Sequence, residues 1–269
     1  MHPILFEIPR IAFLTWTIGP IPIRLYGLMI GLGFLIGLVL AARQAHKEGV
    51  NPDRVMDLGV YLLLTAIVGS RILFVLTNPG LFAANPLDAF ALWKGGLVFY
   101  GGLIAAVPVG IAYLKKHGIP VWKTTDIMAP SLALGQAFGR VGCFFAGCCY
   151  GAPYSGPACV TFHDVHSLAP LGIPLFPTQL MESGGDFAIF TMLVLLRRYK
   201  KFDGQLFWVY ALSYAVLRFA VEFFRGDSVR GLYFGSTISQ SQIIAVGMVF
   251  LAGVMVWRLS KKAVQPRRY

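Results

Sequence analysis

The feature that most constrains this chain is a series of apolar windows long enough to cross a bilayer as α-helices. One crossing takes about 20 mostly apolar residues. Roughly seven windows approach or reach that length: residues 25–42, 57–77, 95–114, 126–148, 180–196, 205–224 and 238–257. Only 13% of the 269 residues are charged, well below the roughly 25% of soluble domains. The sequence therefore predicts an all-α polytopic membrane protein, with a single integral membrane domain over residues 1–269.

The formal net charge of +11 is distributed unevenly among the loops. Basic residues fill four of them, residues 43–54, 115–123, 197–203 and 258–269, whereas residues 78–93 and 150–177 contain no Lys or Arg. This alternation follows the positive-inside rule, so we expect the basic loops and the C-terminus in the cytoplasm and the N-terminus outside. It argues against a nucleic-acid partner and indicates the lipid bilayer, with its anionic headgroups, as the partner of the excess charge.

The segment of residues 150–177 follows the fourth window and is rich in glycine, proline and aromatic residues. Such a composition is typical of a compact loop. We expect it to form an extracytoplasmic head loop, with a short hairpin around residues 159–162.

Ionisable side chains inside the apolar windows are the second informative feature, because a charge near the bilayer centre costs roughly 2.5 to 3.5 kcal/mol even on lenient scales. Six charged residues fall inside the windows, beyond their first positions: Arg71, Arg140, Glu182, Asp186, Arg218 and Glu222. Arg218 and Glu222 are four residues apart, and Arg225 is seven from Arg218, so all three are expected on one helical face. Arg218 and Glu222 are therefore predicted to pair.

Arg71 and Arg140 have no acidic neighbour at helical spacing. Each needs a partner on another helix, a backbone carbonyl or a ligand. Counted together with Arg218 and Arg225, the arginines exceed the carboxylates of Glu182, Asp186 and Glu222 by one, so a phosphate would complete the balance. The planar guanidinium can donate two parallel hydrogen bonds to the oxygens of a phosphate. In a membrane, that phosphate belongs to a phospholipid headgroup. Glycines around these positions allow close helix packing and also leave backbone accessible to a headgroup.

The four cysteines lie within one short stretch, Cys143, Cys148, Cys149 and Cys159. Four readings remain open. A disulfide of Cys159 with Cys148 or Cys149 suits an oxidising exterior, and a redox-active pair or plain apolar packing are further possibilities. A metal or iron–sulfur site is disfavoured because the spacing C-x4-C-C-x9-C matches no familiar ligand set. No metal and no cofactor are expected.

Several motifs in one order resemble the prolipoprotein diacylglyceryl transferase family of bacterial inner membranes. They are IGPIPIRLYGLM, GSRILFVL, WKGGLVFYGGLIA, GRVGCFFAGCCYG, FPTQLMES and SYAVLRFAVEFFR. The resemblance covers nearly the whole chain and implies seven transmembrane helices with the N-terminus outside.

The resemblance also implies a reaction and a set of site residues. The family transfers a diacylglyceryl group from phosphatidylglycerol to the lipobox cysteine thiol in the signal-peptide region of a prolipoprotein, releasing glycerol 1-phosphate. Arg140 matches the arginine of the family signature and Arg218 the essential arginine of the sixth helix, so both are expected to clamp the phosphate, with Tyr100 as the third catalytic candidate. The expected substrate-binding residues are Tyr26, Arg71, Gly139, Cys143, Gly151, Glu182, Tyr214, Glu222 and Arg225.

The chain departs from the family pattern where protons would move. Tyr100 stands where many members have a histidine proposed as the base, and Phe176 also replaces a histidine. Cys143, Ala146 and Cys148 replace two asparagines and a glutamate of the signature. Either Tyr100 is the base with a pKa lowered by adjacent arginines, or the thiol loses its proton to water, or the chain acts on another thiol or lipid.

Two other classes of function compete with transfer. A paralogue could keep the phospholipid cavity and use its cysteines for thiol redox or sulfur chemistry. A lipid transporter or scramblase would also need cations in a cavity, but the chain shows no inverted repeat of the kind many transporters carry.

Overall fold

The computed structural model describes residues 3–8, 11–13, 16–18, 21–83, 85–92, 95–227, 232–233 and 238–264. By contacts the chain forms two compact units, Leu38–Thr124 and the combination of Met1–Gly37 with Thr125–Tyr269. We call them the small unit and the large unit and describe each by itself. The prediction of one membrane domain stays a prediction.

The described residues form seven α-helices, one for each predicted window. They are α1 (Leu25–Lys47), α2 (Pro52–Thr77), α3 (Phe99–Lys116), α4 (Val121–Ala146), α5 (Thr178–Leu196), α6 (Gln205–Glu222) and α7 (Gln240–Val264). The all-α prediction is confirmed. By length and composition, four of the helical segments could cross a membrane: Leu25–Lys47, Pro52–Thr77, Thr178–Tyr199 and Gln240–Lys261.

Short strands that the sequence analysis did not predict flank the helices. They are β1 (Ile4–Ile8), β2 (Ile11–Phe13), β3 (Trp16–Ile18), β4 (Ile21–Arg24), β5 (Val160–Thr161), β6 (Pro174–Leu175), β7 (Leu232–Tyr233) and β8 (Ile238–Ser239). They pair antiparallel as β1 with β4, β2 with β3, β5 with β6, and β7 with β8.

In the small unit, α2 and α3 pack closely along their length. The helix α2 begins where the side chain of Asn51 accepts hydrogen bonds from the backbone of Asp53 and Arg54, with Pro52 at the first turn. A side chain at Gly69 would lie 2.5 Å from the backbone oxygen of Gly101, so only glycine allows this approach of the two backbones.

The core of the large unit lies between α4, α5 and α6. Its buried apolar residues are Ala129, Ala133, Ile189, Leu193 and Leu206. Alanines on α4 allow the longer side chains of α5 and α6 to fill the space between the helices. This packing brings the polar residues of the same three helices together.

A buried aspartate of α4 caps the start of α6. The carboxylate of Asp126 accepts hydrogen bonds from the backbone of Gly204 at 2.7 Å and of Phe207 at 2.9 Å, and Lys200 pairs with it at 3.1 Å. An anion at a helix N-terminus accepts hydrogen bonds from N–H groups that have no partner within the helix, and it interacts favourably with the positive end of the helix dipole. Burial lowers the pKa of Lys200, but its contacts with Asp203 and Asp126 outweigh that effect and leave the pKa above its ordinary value. Lys200 therefore stays charged beside its partners.

The segment of residues 150–177 has a small core of its own, built from Phe162, Ala169 and Leu175. The predicted hairpin around residues 159–162 is wrong in its pairing, because β5 pairs with the distant β6. The wide loop between these strands carries Ala169 into the core.

Candidate functional site

The large unit contains a cluster of polar side chains between α4, α5 and α6, which we call the central polar layer. Its members are Gln136, Arg140, Glu182, Asp186, Tyr210 and Tyr214. Nη2 of Arg140 lies 2.9 Å from Oε1 of Glu182 and donates to the hydroxyl of Tyr214 at 3.4 Å. The predicted need of Arg140 for a partner on another helix is thus met by a carboxylate of α5.

The rest of the central polar layer extends away from Arg140. The ring of Tyr214 stacks on that of Tyr210 with centroids 6.3 Å apart, and the hydroxyl of Tyr210 donates to Oε1 of Gln136, one turn before Arg140. In the described part of the chain both carboxylate oxygens of the buried Asp186 are without a hydrogen-bond partner. This layer therefore contains two carboxylates and one arginine, and Arg140 pairs with Glu182.

Arg218 occupies the next turn of α6 after Tyr214, on the same face. Its Nη2 lies 2.7 Å from Oε2 of Glu222 and donates to Oγ of Ser241 on α7 at 2.9 Å. The predicted pair of Arg218 and Glu222 is confirmed. Nη1 of Arg218 is buried and has no partner among the described residues, which leaves a donor unused inside the protein.

Arg225 lies beyond the end of α6, so it does not continue the helical face of Arg218 and Glu222. Its Nε donates to Oδ1 of Asp227 at 2.8 Å, a partner that the sequence analysis missed. The backbone around it pairs with the start of the head loop, where Gly151 forms a bridge with Arg225. This pairing brings the guanidinium into the electrostatic field of Cys149.

The thiols of Cys143, Cys148 and Cys149 lie within 4.8 Å of one another, and we call them the thiol cluster. All four cysteines are free thiols, so the structure does not show the disulfide of Cys159 that was one of the four open readings. Hydrogen bonds from the other two thiols lower the pKa of Cys149, and Arg225 and Arg140 act in the same direction.

The turn that carries the thiol cluster is held in place by α5. The hydroxyl of Thr178 donates to the carbonyl of Cys149 at 2.7 Å, and the amide of Gln179 donates to that of Cys148 at 2.8 Å. Cys149 has φ +58°, a left-handed conformation that side chains with a Cβ seldom adopt. Two buried polar side chains therefore fix a strained turn.

The two predicted glycines have different surroundings. A side chain at Gly139 would meet no atom within 4 Å, so the space beside Arg140 is open. At Gly151 a side chain would lie 2.4 Å from the backbone oxygen of Phe176 and 2.9 Å from that of Phe224. Gly151 is thus packed between backbone segments, and the prediction that it binds substrate directly conflicts with this packing.

Tyr26, at the start of α1, lies beside the thiol cluster. Its backbone is 3.2 to 3.3 Å from where a side chain at Gly142 would begin, and its hydroxyl lies in the electrostatic field of Cys143 and Arg140. The ring is 41% exposed, so it borders the site and stays accessible.

Arg71, in the small unit, has an environment unlike that of Arg140. Its five N–H groups all donate to backbone carbonyls, those of Asp88, Ala89, Ala91, Gly95 and Gly96. The sequence predicted a partner on another helix, a backbone carbonyl or a ligand for Arg71, and the structure shows backbone carbonyls. A direct contact with phosphate would require Arg71 to give up these bonds, so its observed role is to hold the loop between α2 and α3.

Tyr100 also belongs to the small unit, in the first turn of α3. Its ring is 40% exposed and meets the ring of Phe99 edge-on at 5.9 Å. The hydroxyl is therefore accessible, and the role of Tyr100 as the base stays a prediction.

Sequence reasoning missed several polar residues that position the site. They are Asp126, Gln136, Gln179, Tyr210, Asp227 and Ser241. The acidic ones are detectable in principle, since Asp126 begins an apolar window and Asp227 follows Arg225 by two residues. The amides and hydroxyls carry no charge and become informative only when the helices are packed.

The chain matches known proteins over nearly its whole length. The family model described as prolipoprotein diacylglyceryl transferase matches residues 14–258. The phosphatidylglycerol–prolipoprotein diacylglyceryl transferase of Finegoldia magna is 37% identical over 256 residues, covering 95% of this chain and 97% of the relative.

Two relatives of the same name come from Bacillus species. That of Bacillus velezensis is 34% identical over 260 residues, or 95% of each chain. That of Bacillus cereus is 33% identical over 270 residues, covering 99% of this chain and 98% of the relative. This chain therefore belongs to the prolipoprotein diacylglyceryl transferase family.

Proposed function

We propose that this protein transfers a diacylglyceryl group from phosphatidylglycerol to the lipobox cysteine thiol of a prolipoprotein and releases glycerol 1-phosphate. Its membership of the family and the activity named for its relatives support transfer over the thiol-redox alternative. The substrates are thus a membrane lipid and the signal-peptide region of a secreted protein.

One structural observation carries this proposal: Arg140 and Arg218, the two half-buried arginines of the central helices of the large unit, each use a single nitrogen in their contacts with described residues. Among the described residues, Arg140 contacts Glu182 and Tyr214 through Nη2 alone. Arg218 likewise contacts Glu222 and Ser241 through Nη2, and its Nη1 has no partner in the described part of the chain. Guanidinium groups held by carboxylates at one nitrogen keep donors for another anion. A lipid phosphate is the anion that suits this arrangement.

The chemistry follows from where charge develops. The thiolate attacks the C3 carbon of the lipid glycerol, a C–S bond forms and the C–O bond to phosphate breaks, so negative charge builds on the leaving phosphate. Fixed cations aimed at that phosphate stabilise the transition state more than the ground state. Arg140 and Arg218 are assigned this role, with Glu182 and Glu222 holding them in place.

The remaining candidate residues border this phosphate position. Tyr214 contacts Arg140, Tyr26 lies beside the thiol cluster, and Gly139 leaves the open space that a headgroup needs. Arg225, held by Asp227, adds a further cation at the same end of α6. These residues are assigned to substrate binding.

The thiol must lose a proton, and two acceptors remain: Tyr100 and water. If Tyr100 accepts it, Tyr100→Phe removes the acceptor and keeps the ring, so the rate should fall by about 10² to 10⁴ at neutral pH. The loss should shrink as the pH passes the thiol pKa, because thiolate then forms without help. An unchanged rate from pH 6 to pH 9 would leave water as the acceptor.

We further propose that all seven helices cross the bacterial inner membrane. The predicted orientation places the N-terminus and the head loop outside, where lipoprotein precursors emerge, and the basic loops in the cytoplasm. Cysteine labelling from each side of sealed vesicles tests it. Labelling of Cys159 from the cytoplasmic side alone would reverse the orientation.

The function itself is tested with the purified full chain in phosphatidylglycerol vesicles and a lipobox peptide. We expect a peptide thioether carrying diacylglycerol and an equal amount of glycerol 1-phosphate, with no product from a peptide whose cysteine is replaced by serine. Expression should also rescue a bacterium depleted of its own transferase. Folded protein that gives no thioether and no rescue would overturn the proposal.

A further inference from the structure

The thiol cluster is a group of reactive side chains, within the described part of the chain, whose chemistry the proposed function has not used. It combines features that argue against apolar packing alone. Three sulfur atoms converge from two parts of the chain, Cys143 inside α4 and the pair Cys148–Cys149 in the turn after it. Because two buried side chains of α5 and a strained left-handed residue hold this turn, the convergence has a structural cost. Such cost is typical of a functional site.

The spacing of the sulfur atoms suits a tetrahedral zinc ion. With Zn–S bonds of about 2.3 Å, sulfurs at tetrahedral angles lie about 3.8 Å apart, and those of the cluster all lie within 4.8 Å. Side-chain rotations closing about 1 Å would complete three corners of the tetrahedron. The spacing C-x4-C-C concealed this set, because the left-handed turn at Cys149 is what folds the third thiol back.

The fourth corner is open to a substrate. Cys143 is buried, but Cys148 and Cys149 are only partly so, and the exposed ring of Tyr26 borders them. Zinc sites with three protein ligands and an open position are the catalytic kind. The open position would take a thiol, and a thiol bound to zinc is deprotonated outright.

The cluster stands where the proposed reaction needs a nucleophile. Cys143 follows Arg140 by three residues on α4, so the two share a face about 4.5 Å apart along the axis. A phosphate on Arg140 would thus lie one helical turn from a thiolate held on the cluster. Arg140 and Arg225, both in the field of Cys149, would balance the negative charge of a zinc ion with several thiolates.

We propose that Cys143, Cys148 and Cys149 bind a zinc ion whose fourth ligand is the lipobox thiol of the prolipoprotein. This inference rests on the proposed function and departs from the expectation of a metal-free enzyme. On binding, the S–H proton passes to water. The zinc-bound sulfur donates its electron pair to the C3 carbon, the C–S bond forms, and the C–O bond breaks with its electrons on the phosphate oxygen. The neutral thioether is a weak ligand and leaves the zinc.

The first test measures metal without reference to activity. The full-length protein is purified in detergent under reducing conditions with zinc supplied. Its zinc content is then measured by inductively coupled plasma mass spectrometry. We expect about one zinc per chain, lost in Cys143→Ser, Cys148→Ser and Cys149→Ser and kept in the matched control Cys159→Ser, whose thiol is exposed and outside the cluster. Zinc content below a tenth per chain, or a disulfide within the cluster by intact mass, would overturn the site.

The second test asks whether the lipobox thiol enters the coordination sphere. Cobalt replaces zinc in the wild-type protein, and the sulfur-to-cobalt absorption is recorded while lipobox peptide is added. The absorption should rise by about one third, from three sulfur ligands to four, with no change for the serine peptide. An unchanged spectrum would overturn the role of the open position.

The third test separates this inference from the proposed function. A chelator strips the metal from wild-type protein, and transfer is measured before and after one equivalent of zinc is returned. We expect at least a tenfold loss with recovery on zinc. Full transfer by the stripped enzyme would overturn the zinc step and leave the transferase intact, whereas a zinc-loaded, peptide-binding protein with no transfer would contradict the proposed function alone.

Discussion

Arg71 of the small unit and Arg140 of the large unit both lie in apolar helices, the first buried and the second half-buried, yet their surroundings differ in kind. Every N–H of Arg71 donates to a backbone carbonyl, whereas the described side chains that hold Arg140 contact one of its nitrogens only. An arginine whose N–H donors are all hydrogen-bonded to carbonyls stabilises a loop, whereas one with N–H donors left over can bind a ligand. A cation in an apolar helix therefore indicates function only when its donors are counted.

Removal of Arg218 should have the largest effect on transfer. Its free donor is assigned to the phosphate, and loss of one such donor typically costs about 10² to 10³ in rate. Arg218→Ala also leaves Glu222 buried without its cation, so the amount of folded protein should fall. The double change Arg218→Ala, Glu222→Gln should restore folded protein, measured by size-exclusion chromatography, and leave transfer lost. If folded protein and transfer both recover, the pair of Arg218 and Glu222 is purely structural, and the contrast between the arginines of the two units fails.

Arg140→Lys keeps the positive charge and removes the paired N–H donors of the guanidinium. Transfer should fall by at least about tenfold, or 1.4 kcal/mol of transition-state stabilisation, because a lysine holding Glu182 has few donors left for phosphate. Rates are compared at equal folded protein in phosphatidylglycerol vesicles. A wild-type rate would show that the charge alone suffices and that the free donors of Arg140 have no role.

Arg71→Lys is the matched change in the small unit. It should lower the free energy of unfolding more than it lowers the rate of transfer. A lysine cannot reach five carbonyls, so the free energy of unfolding should drop by about 3 kcal/mol, seen as a lower melting temperature. Transfer per folded molecule should fall less than about threefold, or roughly 0.7 kcal/mol. A tenfold loss at unchanged melting temperature would place Arg71 at the substrate and erase the contrast.

The smallest effect is expected at Asp186, whose carboxylate is buried without a hydrogen-bond partner in the described structure. Asp186→Asn removes the cost of a buried unpaired acid and should raise the free energy of unfolding by about 1 kcal/mol. The matched change Glu182→Gln takes the counterion from Arg140 and should lower it. Thermal unfolding in one detergent compares the two, and a destabilised Asp186→Asn would show that the acid has a partner outside this chain.

The sequence by itself determined where the helices lie and which of them carry arginines. Seven apolar windows became seven helices because a backbone in an apolar setting must satisfy its own hydrogen bonds, a requirement that local composition reports. Spacing also gave the pair of Arg218 and Glu222, since both lie on one helix. Arginines inside apolar windows were visible because their cost is independent of their partners.

Only the tertiary structure decided what those residues contact. The partner of Arg140 is 42 positions away on another helix, the acceptors of Arg71 are carbonyls that carry no sequence signal, and the third thiol of the cluster depends on one left-handed residue. The short strands near the ends of the helices were equally hidden. Contacts between helices depend on packing of the whole chain, and packing is set by many small residues whose individual signals are weak.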